Sequence, residues 1–143
     1  REMYKHILLP VDLEDRASWE ASAPVAVDYA KAFGGTVHVM TVVPDFGMSV
    51  VGSFFPDDFA EKAIAETDKR LHGFVSENLP DDISTQHVVK HGRVYEEIIM
   101  TAKELGADLI VMSAHRHELS DYLLGPNAAR VARHASQSVL IVR

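Results

Sequence analysis

Short apolar runs alternate with longer amphipathic segments along the 143-residue chain. The runs at 4–11, 36–43, 109–112 and 138–143 are too short for helices, and their apolar, β-branched content predicts buried strands. A weaker alternation of apolar and polar residues at 83–90 predicts a fifth strand, at the edge of the sheet. The hydrophobic pattern therefore predicts a five-stranded sheet.

Apolar residues three and four positions apart predict helices between these strands. The helical segments are 17–33, 59–78, 94–105 and 128–134. Pro24 allows two interpretations of the first segment: one helix with a kink, which we favour, or a shorter helix with Pro24 in its first turn. The alternation of strands and helices predicts an α/β fold, with a parallel sheet, right-handed crossovers and helices on both faces.

Composition narrows the class of protein. With 47% hydrophobic and 24% charged residues, residues 1–143 are expected to form one globular domain. The absence of cysteine excludes disulfides, thiolate metal sites and a cysteine nucleophile. A net charge of −7 argues against a nucleic-acid polymer as partner. No apolar run approaches ~18 residues and no signal peptide is visible, so we expect a cytoplasmic protein without a membrane partner.

Three common catalytic or nucleotide-binding motifs are absent from the sequence. They are GxGxxG, GxxxxGK[ST] and GxSxG, which argues against a dinucleotide site, a P-loop and an α/β-hydrolase nucleophile. The turn after the first strand instead reads Asp12-Leu13-Glu14-Asp15. An acidic side chain there could accept hydrogen bonds from a ribose or a base. Alternatively, Asp12 or Asp15 caps the following helix.

A candidate anion site precedes the last helix. Gly125 permits close backbone approach, and Pro126 suits the first position of a helix. A helix N-terminus has unpaired N–H groups and a partial positive charge, so it can bind a phosphate. In an open parallel sheet, ligands bind beyond the carboxyl ends of the strands, where this loop leaves the 109–112 strand. The alternative is that Gly125, Pro126 and Asn127 form only a turn and a cap.

Two loops leave further alternatives open. His115 and His117 lie beside Glu118, and they are either a metal-binding pair or, as we favour, surface residues. We therefore predict no metal ligands in the protein itself. The segment 46–56 carries apolar side chains without a clear period, and it could cover a ligand, contact a partner chain or pack on its own domain. We favour packing on its own domain.

Several stretches of sequence are similar to those of a known family. They are YKHILLPVD at 4–12, GADLIVM at 106–112, YLLGPNAARV at 122–131 and SVLIV at 138–142. Through them the chain resembles the universal stress protein family over nearly its whole length. The resemblance implies a Rossmann-like, adenine nucleotide alpha hydrolase-like fold, and a homodimer paired through the strand at 138–143. In the ATP-binding branch it also implies a bound adenine nucleotide: ATP, with ADP or AMP as alternatives, and Mg²⁺ as a possible companion.

The resemblance also implies which residues contact the nucleotide. Adenine and ribose would lie near Asp12 and near the backbone at Val42. The phosphates would lie on a family loop of the form G-x2-G-x9-G-[ST], in which Ser113 stands at the first glycine and Pro126 at the hydroxyl position. The predicted nucleotide-binding residues are Pro10, Val11, Asp12, Val42, Met112, Ser113, His115, Arg116, Gly125, Pro126 and Asn127.

The departures from the loop pattern weaken the predicted hold on phosphate. Pro126 removes a hydroxyl and an N–H donor, and each lost charge-assisted bond would cost about 1.5–3 kcal/mol. His115, Arg116 and Asn127 could supply donors in their place. We therefore predict an ATP-binding stress-response module with at most slow hydrolysis and no catalytic residues. Two alternatives remain: a family dimer that binds no nucleotide and acts through protein contacts, or an enzyme of the wider nucleotide-hydrolysing superfamily.

Overall fold

The structure, a computed structural model, describes residues 3–44, 59–114 and 126–143. The elements in these ranges are β1 (His6–Pro10), a short 3-10 helix (Arg16–Ser18), α1 (Ser22–Phe33), β2 (Thr36–Pro44), α2 (Phe59–Asn78), β3 (Ser84–Gly92), α3 (Val94–Leu105), β4 (Leu109–Ser113), α4 (Pro126–His134) and β5 (Ser138–Val142). The α/β fold predicted from the hydrophobic pattern is confirmed.

The five strands form one parallel sheet in the order β3-β2-β1-β4-β5. The chain runs outward from β1 to β3 and then returns to the other side of β1 as β4. Ile7 of β1 is therefore paired with Leu109 of β4, 102 positions later by number, as well as with Val37 of β2. This reversal beside β1 is a topological switch point, where open parallel sheets hold their ligands. As predicted, β3 lies at an edge.

Each face of the sheet is covered by two of these helices, because successive strand residues point to opposite sides. Ile7 and Leu9 face a core cluster to which α1 contributes Ala26 and α2 contributes Leu71 and Phe74. On the opposite face, the cluster comprises Leu8, Met40, Ile98, Ala102, Ala107, Ile110, Met112, Ala128 and Val131, with α3 and α4 packed over the strands. The sheet is thus apolar on both faces, which is why its central strands are continuous apolar runs.

The favoured interpretation of the first helical segment was wrong. Residues 17–33 do not form one kinked helix: a 3-10 turn ends at Ser18, and α1 begins at Ser22 with Pro24 in its first turn. Asp15 caps the 3-10 turn, because its Oδ1 accepts a hydrogen bond from Ala17 N (3.0 Å). N–H groups in the first turn of a helix have no partner within the helix, so Pro24 in this position removes no helical hydrogen bond.

Two other boundaries differ slightly from the predicted ones. Strand β3 extends to Gly92, since His91 and Gly92 still pair with Val43 and Pro44 of β2. Helix α4 begins at Pro126, as expected for proline at the first helical position. In the part of the chain that the structure describes, no helix is both long and apolar enough to cross a membrane.

Candidate functional site

A cavity of about 500 Å³ opens at the carboxyl ends of β1, β2 and β4, at the switch point of the sheet. We call it the switch-point cavity. Its volume lies within the range usual for small-molecule sites. Of the residues predicted to bind a nucleotide, those that line it are Pro10, Val11, Asp12, Val42, Met112, Ser113 and Asn127. The structure therefore brings seven of the predicted residues to one cavity.

The remaining predicted residues are not all described. Three of them, His115, Arg116 and Gly125, lie outside the described residues. The proposed metal-binding pair, His115 and His117, and the loop 46–56 also lie outside them. Pro126 is described only as the first residue of α4. The predictions on these residues stay predictions.

The turn after β1 forms one wall of the cavity. Val11 N donates to Met40 O (2.8 Å), which continues the pairing with β2 past the end of the strand. Asp12 Oδ1 then accepts from Glu14 N (2.9 Å), and Asp15 N donates to Asp12 O (3.0 Å), closing a tight turn. Asp12 N donates to Ser18 Oγ (2.8 Å). This network fixes the backbone and leaves the Asp12 side chain exposed on the cavity side.

Of the two alternatives for the acidic residues, the structure shows the capping one at Asp15, and contact with a ribose or a base stays a prediction. The capping alternative is met by Asp15, whose carboxylate caps the 3-10 turn. Asp12 caps no helix. Among the described residues, its side-chain hydrogen bond is the local one to Glu14 N. Asp12 is thus the carboxylate of this turn that is best placed to meet a ligand.

Strand β4 forms the floor of the cavity and is tied to α1. Ser113, at the end of β4, is buried and accepts a hydrogen bond from Ser22 N at the start of α1 (3.0 Å between Ser22 N and Ser113 Oγ). Ala114 N donates to Val142 O (2.7 Å), which continues the pairing of β4 with β5. The Ser113 hydroxyl therefore satisfies a helix N–H group, a structural function that a glycine at this position could not perform.

The start of α4 forms another wall. Asn127 and Ala128 line the cavity, and Ala128 and Val131 are buried against the sheet. These two residues belong to the core cluster on this face of the sheet, and the first turn of the helix lies at the cavity. The helix brings a partial positive charge and amide donors to this end of the cavity.

Sequence reasoning missed the contribution of α2. Thr67 and Arg70 line the cavity from this helix, and Arg70 Nη2 lies 2.6 Å from Glu14 Oε1. Both side chains of this ion pair are at least 46% exposed, so it contributes little to stability. The spacing along the helix could have indicated that these residues share a face. Arg70 lies three residues after Thr67 and next to buried Leu71, so one face of α2 carries all three. Nothing in the sequence indicated that this face reaches the end of β1.

The described residues hold no ready-made metal site. Among residues 3–44, 59–114 and 126–143, no three His, Asp or Glu side chains are grouped so that they could hold a metal ion.

Comparison of the sequence with known proteins identifies the family to which the chain belongs. The sequence model of the universal stress protein family matches residues 3–143, and the chain belongs to this family. It is similar to universal stress protein G of Shigella flexneri, with 33% identity over 143 residues that cover 99% of this chain and 100% of that protein.

Solved structures of the same family share the fold. One is a universal stress protein from Archaeoglobus fulgidus in complex with dAMP, with a TM-score of 0.69 and 22% identity, covering 99% of both chains. Another is a universal stress protein in complex with cAMP, with a TM-score of 0.62 and 22% identity, covering 99% of this chain and 98% of that one. At this level of identity, the likeness shows the shared five-stranded α/β architecture.

Proposed function

We propose that this protein binds an adenine nucleotide in the switch-point cavity. The observation that carries the proposal is the position of the cavity. It lies at the carboxyl ends of β1 and β4, where the chain leaves these neighbouring strands for opposite faces of the sheet, with Asp12 on one wall and the start of α4 on another. Carboxylates accept hydrogen bonds from ribose hydroxyls, and helix starts bind phosphates. The two walls therefore suit the two ends of a nucleotide.

The adenosine part of the ligand would lie against β1 and β2. Val11 and Val42 supply apolar surface for the base, and the Asp12 carboxylate accepts hydrogen bonds from the ribose. The buried side chains of Met40 and Ile98 also line the cavity, and they keep water from the base. An apolar cavity with a few polar groups is the usual form of a small-molecule site.

The phosphates would lie over Met112 and Ser113 and reach the start of α4. Asn127 supplies an amide donor there, while His115, Arg116 and Gly125 belong to this proposal by sequence alone. Pro126 at the first helical position offers no N–H group, so the hold on a terminal phosphate is expected to be weak. The dissociation constants of ATP, ADP and AMP are therefore expected to differ by less than about tenfold.

The relatives support the ligand class. Two structures with the same fold were solved with adenine nucleotides, one with dAMP and one with cAMP. Because those proteins differ from this chain at more than three quarters of their aligned positions, the support extends to the adenine nucleotide class and not to ATP or Mg²⁺.

Calorimetric titration with ATP, ADP, AMP and adenosine tests the proposal. We expect Asp12→Asn to weaken all four ligands, roughly tenfold, because they share the ribose that it would contact. Asn127→Ala should weaken the nucleotides and leave adenosine unchanged. Asp28→Asn is the matched control, since Asp28 is exposed on α1 and lines no part of the cavity.

Absence of heat with every ligand would overturn the proposal. The protein would then be a family member that acts through protein contacts alone. A phosphate-release assay on the same samples separates binding from turnover. We expect rates no higher than slow hydrolysis, and a fast rate that disappears in Asp12→Ala would instead favour the hydrolytic enzyme.

We also propose a cytoplasmic homodimer paired through residues 138–143. Strand β5 is an edge of the sheet, and Val139 to Val142 are only partly buried. Val142 O points toward β4, where it accepts from Ala114 N, and strand amides alternate in direction. The backbone N–H of Ile141 therefore points away from β4, toward the position of a second copy. An apolar edge of this kind is normally covered in a native protein.

Sedimentation velocity at micromolar concentration tests the dimer. Ile141→Pro removes the outward N–H group without removing a bond to β4, so we expect it to yield monomers. Ile141→Ala is the control, because it shortens the same side chain and keeps the N–H group. A wild-type monomer would remove this proposal, as would a proline variant that still forms dimers.

A further inference from the structure

Three carboxylates lie together on the wall of the switch-point cavity that follows β1. They belong to Asp12, Glu14 and Asp15, which we call the acidic rim. The rim is held in place by its own backbone network, in which Asp12 Oδ1 accepts from Glu14 N at 2.9 Å and Asp15 N donates to Asp12 O at 3.0 Å. The carboxylates of Asp12 and Asp15 are therefore held at the cavity wall by backbone N–H groups, and that of Glu14 is held by its ion pair with Arg70.

One cation offsets part of this charge. Among the described residues that line the cavity, Arg70 is the sole Lys or Arg, and its guanidinium is held by Glu14 (2.6 Å). Three carboxylates and one guanidinium leave this wall with a net charge of about −2 at neutral pH. Because Arg70 is already paired, a ligand phosphate arriving here would have to compete with Glu14 for it.

The floor at β4 and the wall at α4 differ from the rim in charge. Their described polar residues are Ser113 and Asn127, both uncharged, and the first turn of α4 adds a partial positive charge. The cavity is therefore negative at the acidic rim and weakly positive at the start of α4. A nucleotide lowers its energy most by directing its phosphate toward α4, and its ribose hydroxyls then face the acidic rim.

We propose that the acidic rim makes this cavity select against nucleotides that carry, besides the 5′-phosphate, a separate phosphate group on the 2′ or 3′ hydroxyl. This inference rests on the proposed adenine-nucleotide site and specifies its ligand class. A free hydroxyl donates a hydrogen bond to a rim carboxylate. A phosphate in the same place brings about two negative charges against a wall that is already negative.

Calorimetric titration with 5′-AMP and with adenosine 3′,5′-bisphosphate measures this selectivity, because the two ligands differ by the 3′-phosphate alone. We expect the dissociation constant of the bisphosphate to be larger by about tenfold or more at 0.05 M salt. The ratio of the two constants should fall toward one at 1 M salt, where the Debye length is only about 3 Å.

Variants of the ion pair separate electrostatic selection from a merely structural effect. Glu14→Gln removes one negative charge and releases Arg70, so the ratio should fall severalfold. Arg70→Gln removes the cation and leaves all three carboxylates, so the ratio should rise. Both variants break the same Glu14–Arg70 contact, so a purely structural contribution would move the ratio in the same direction in each. Arg70→Lys keeps the charge and should restore the wild-type ratio.

The outcomes are distinguishable from failure of the proposed function. If neither ligand binds, the proposal of an adenine-nucleotide site is wrong, and the inference about its selectivity is wrong as well. If 5′-AMP binds and the bisphosphate binds equally well or better, the site stands and the acidic rim does not select. If the two ion-pair variants shift the ratio in the same direction, the selection is not electrostatic and the inference is overturned.

Discussion

The side chains of His6 and His38 form a hydrogen-bonded pair at the amino ends of β1 and β2. His6 Nδ1 lies 3.1 Å from His38 Nε2, and the two rings are tilted by 39°. His38 is 5% exposed, whereas His6 is exposed. Burial lowers the pKa of His38 below its ordinary value of 6.5, and the charge of His6 lowers it further. The pair lies at the opposite end of the sheet from the switch-point cavity.

The lowered pKa of His38 predicts a loss of stability in mild acid. Below pH 6.5 the unfolded chain binds a proton at this histidine that the folded chain does not accept, so unfolding becomes easier as the pH falls. Above pH 6.5 both states are neutral there, and the contribution is fully present. We expect chemical denaturation to show a smaller decrease between pH 7.5 and pH 5.5 in His38→Gln than in the wild type. Ser136→Ala, at an exposed residue that carries no titratable group, is the control and should keep the wild-type decrease.

The approach of Gly35 to β1 predicts a strong steric effect at the start of β2. A Cβ atom at Gly35 would lie 2.5 Å from Tyr4 O, a contact with backbone that cannot be relieved by a side-chain rotation. Gly35→Ala should lower the free energy of unfolding by about 1–3 kcal/mol. Gly73→Ala is the matched control, because a Cβ there meets nothing within 4 Å in the middle of α2. It should raise stability by about 0.5–1 kcal/mol, and equal effects of the two changes would contradict the steric explanation.

The hydrogen bond between Ser22 and Ser113 predicts a stability cost at the floor of the cavity. Ser113→Ala leaves Ser22 N, which is in a fully buried residue, without its acceptor. Denaturant unfolding should show a loss of about 1–3 kcal/mol, the cost of an unsatisfied buried donor. Ser136→Ala, at an exposed serine, should change stability by no more than about 0.5 kcal/mol. A loss at Ser113 no larger than that of the control would show that the bond contributes nothing.

The packing of α4 predicts that stability and ligand affinity are coupled. Val131 is fully buried beneath the helix that would hold the phosphate, so Val131→Ala should cost about 1–3 kcal/mol of unfolding free energy. A looser α4 should also weaken AMP binding, measured by calorimetry, although Val131 does not line the cavity. Arg133→Ala, on the exposed side of the same helix, should change both quantities little. Unchanged AMP affinity in Val131→Ala would separate α4 from the ligand site.

The predictions made from sequence succeeded where a single segment carried the whole signal. The run from Leu109 to Met112 was predicted to be a short buried strand and lies in β4. The helices at 59–78 and 94–105 have the boundaries predicted from their hydrophobic period. The prediction of the first helix failed because Pro24 is compatible both with a kinked helix and with a helix that begins later. The choice depended on distant contacts such as the ring of Trp19 packing on Phe74 of α2, with centroids 4.9 Å apart.

Some residues of the candidate site could be predicted from local sequence, and others depended on tertiary packing. Asp12 and Asn127 were accessible to sequence reasoning, because strand ends and helix starts can be read from local residue pattern and both lie at such positions. Arg70 was not, since its place at the cavity depends on how α2 packs across the sheet. The sequence alone determined which segments are strands and helices, because periodicity and burial are local properties. The tertiary structure alone decided that β4 lies beside β1 and that Ser113 meets Ser22, because these contacts join residues about a hundred positions apart.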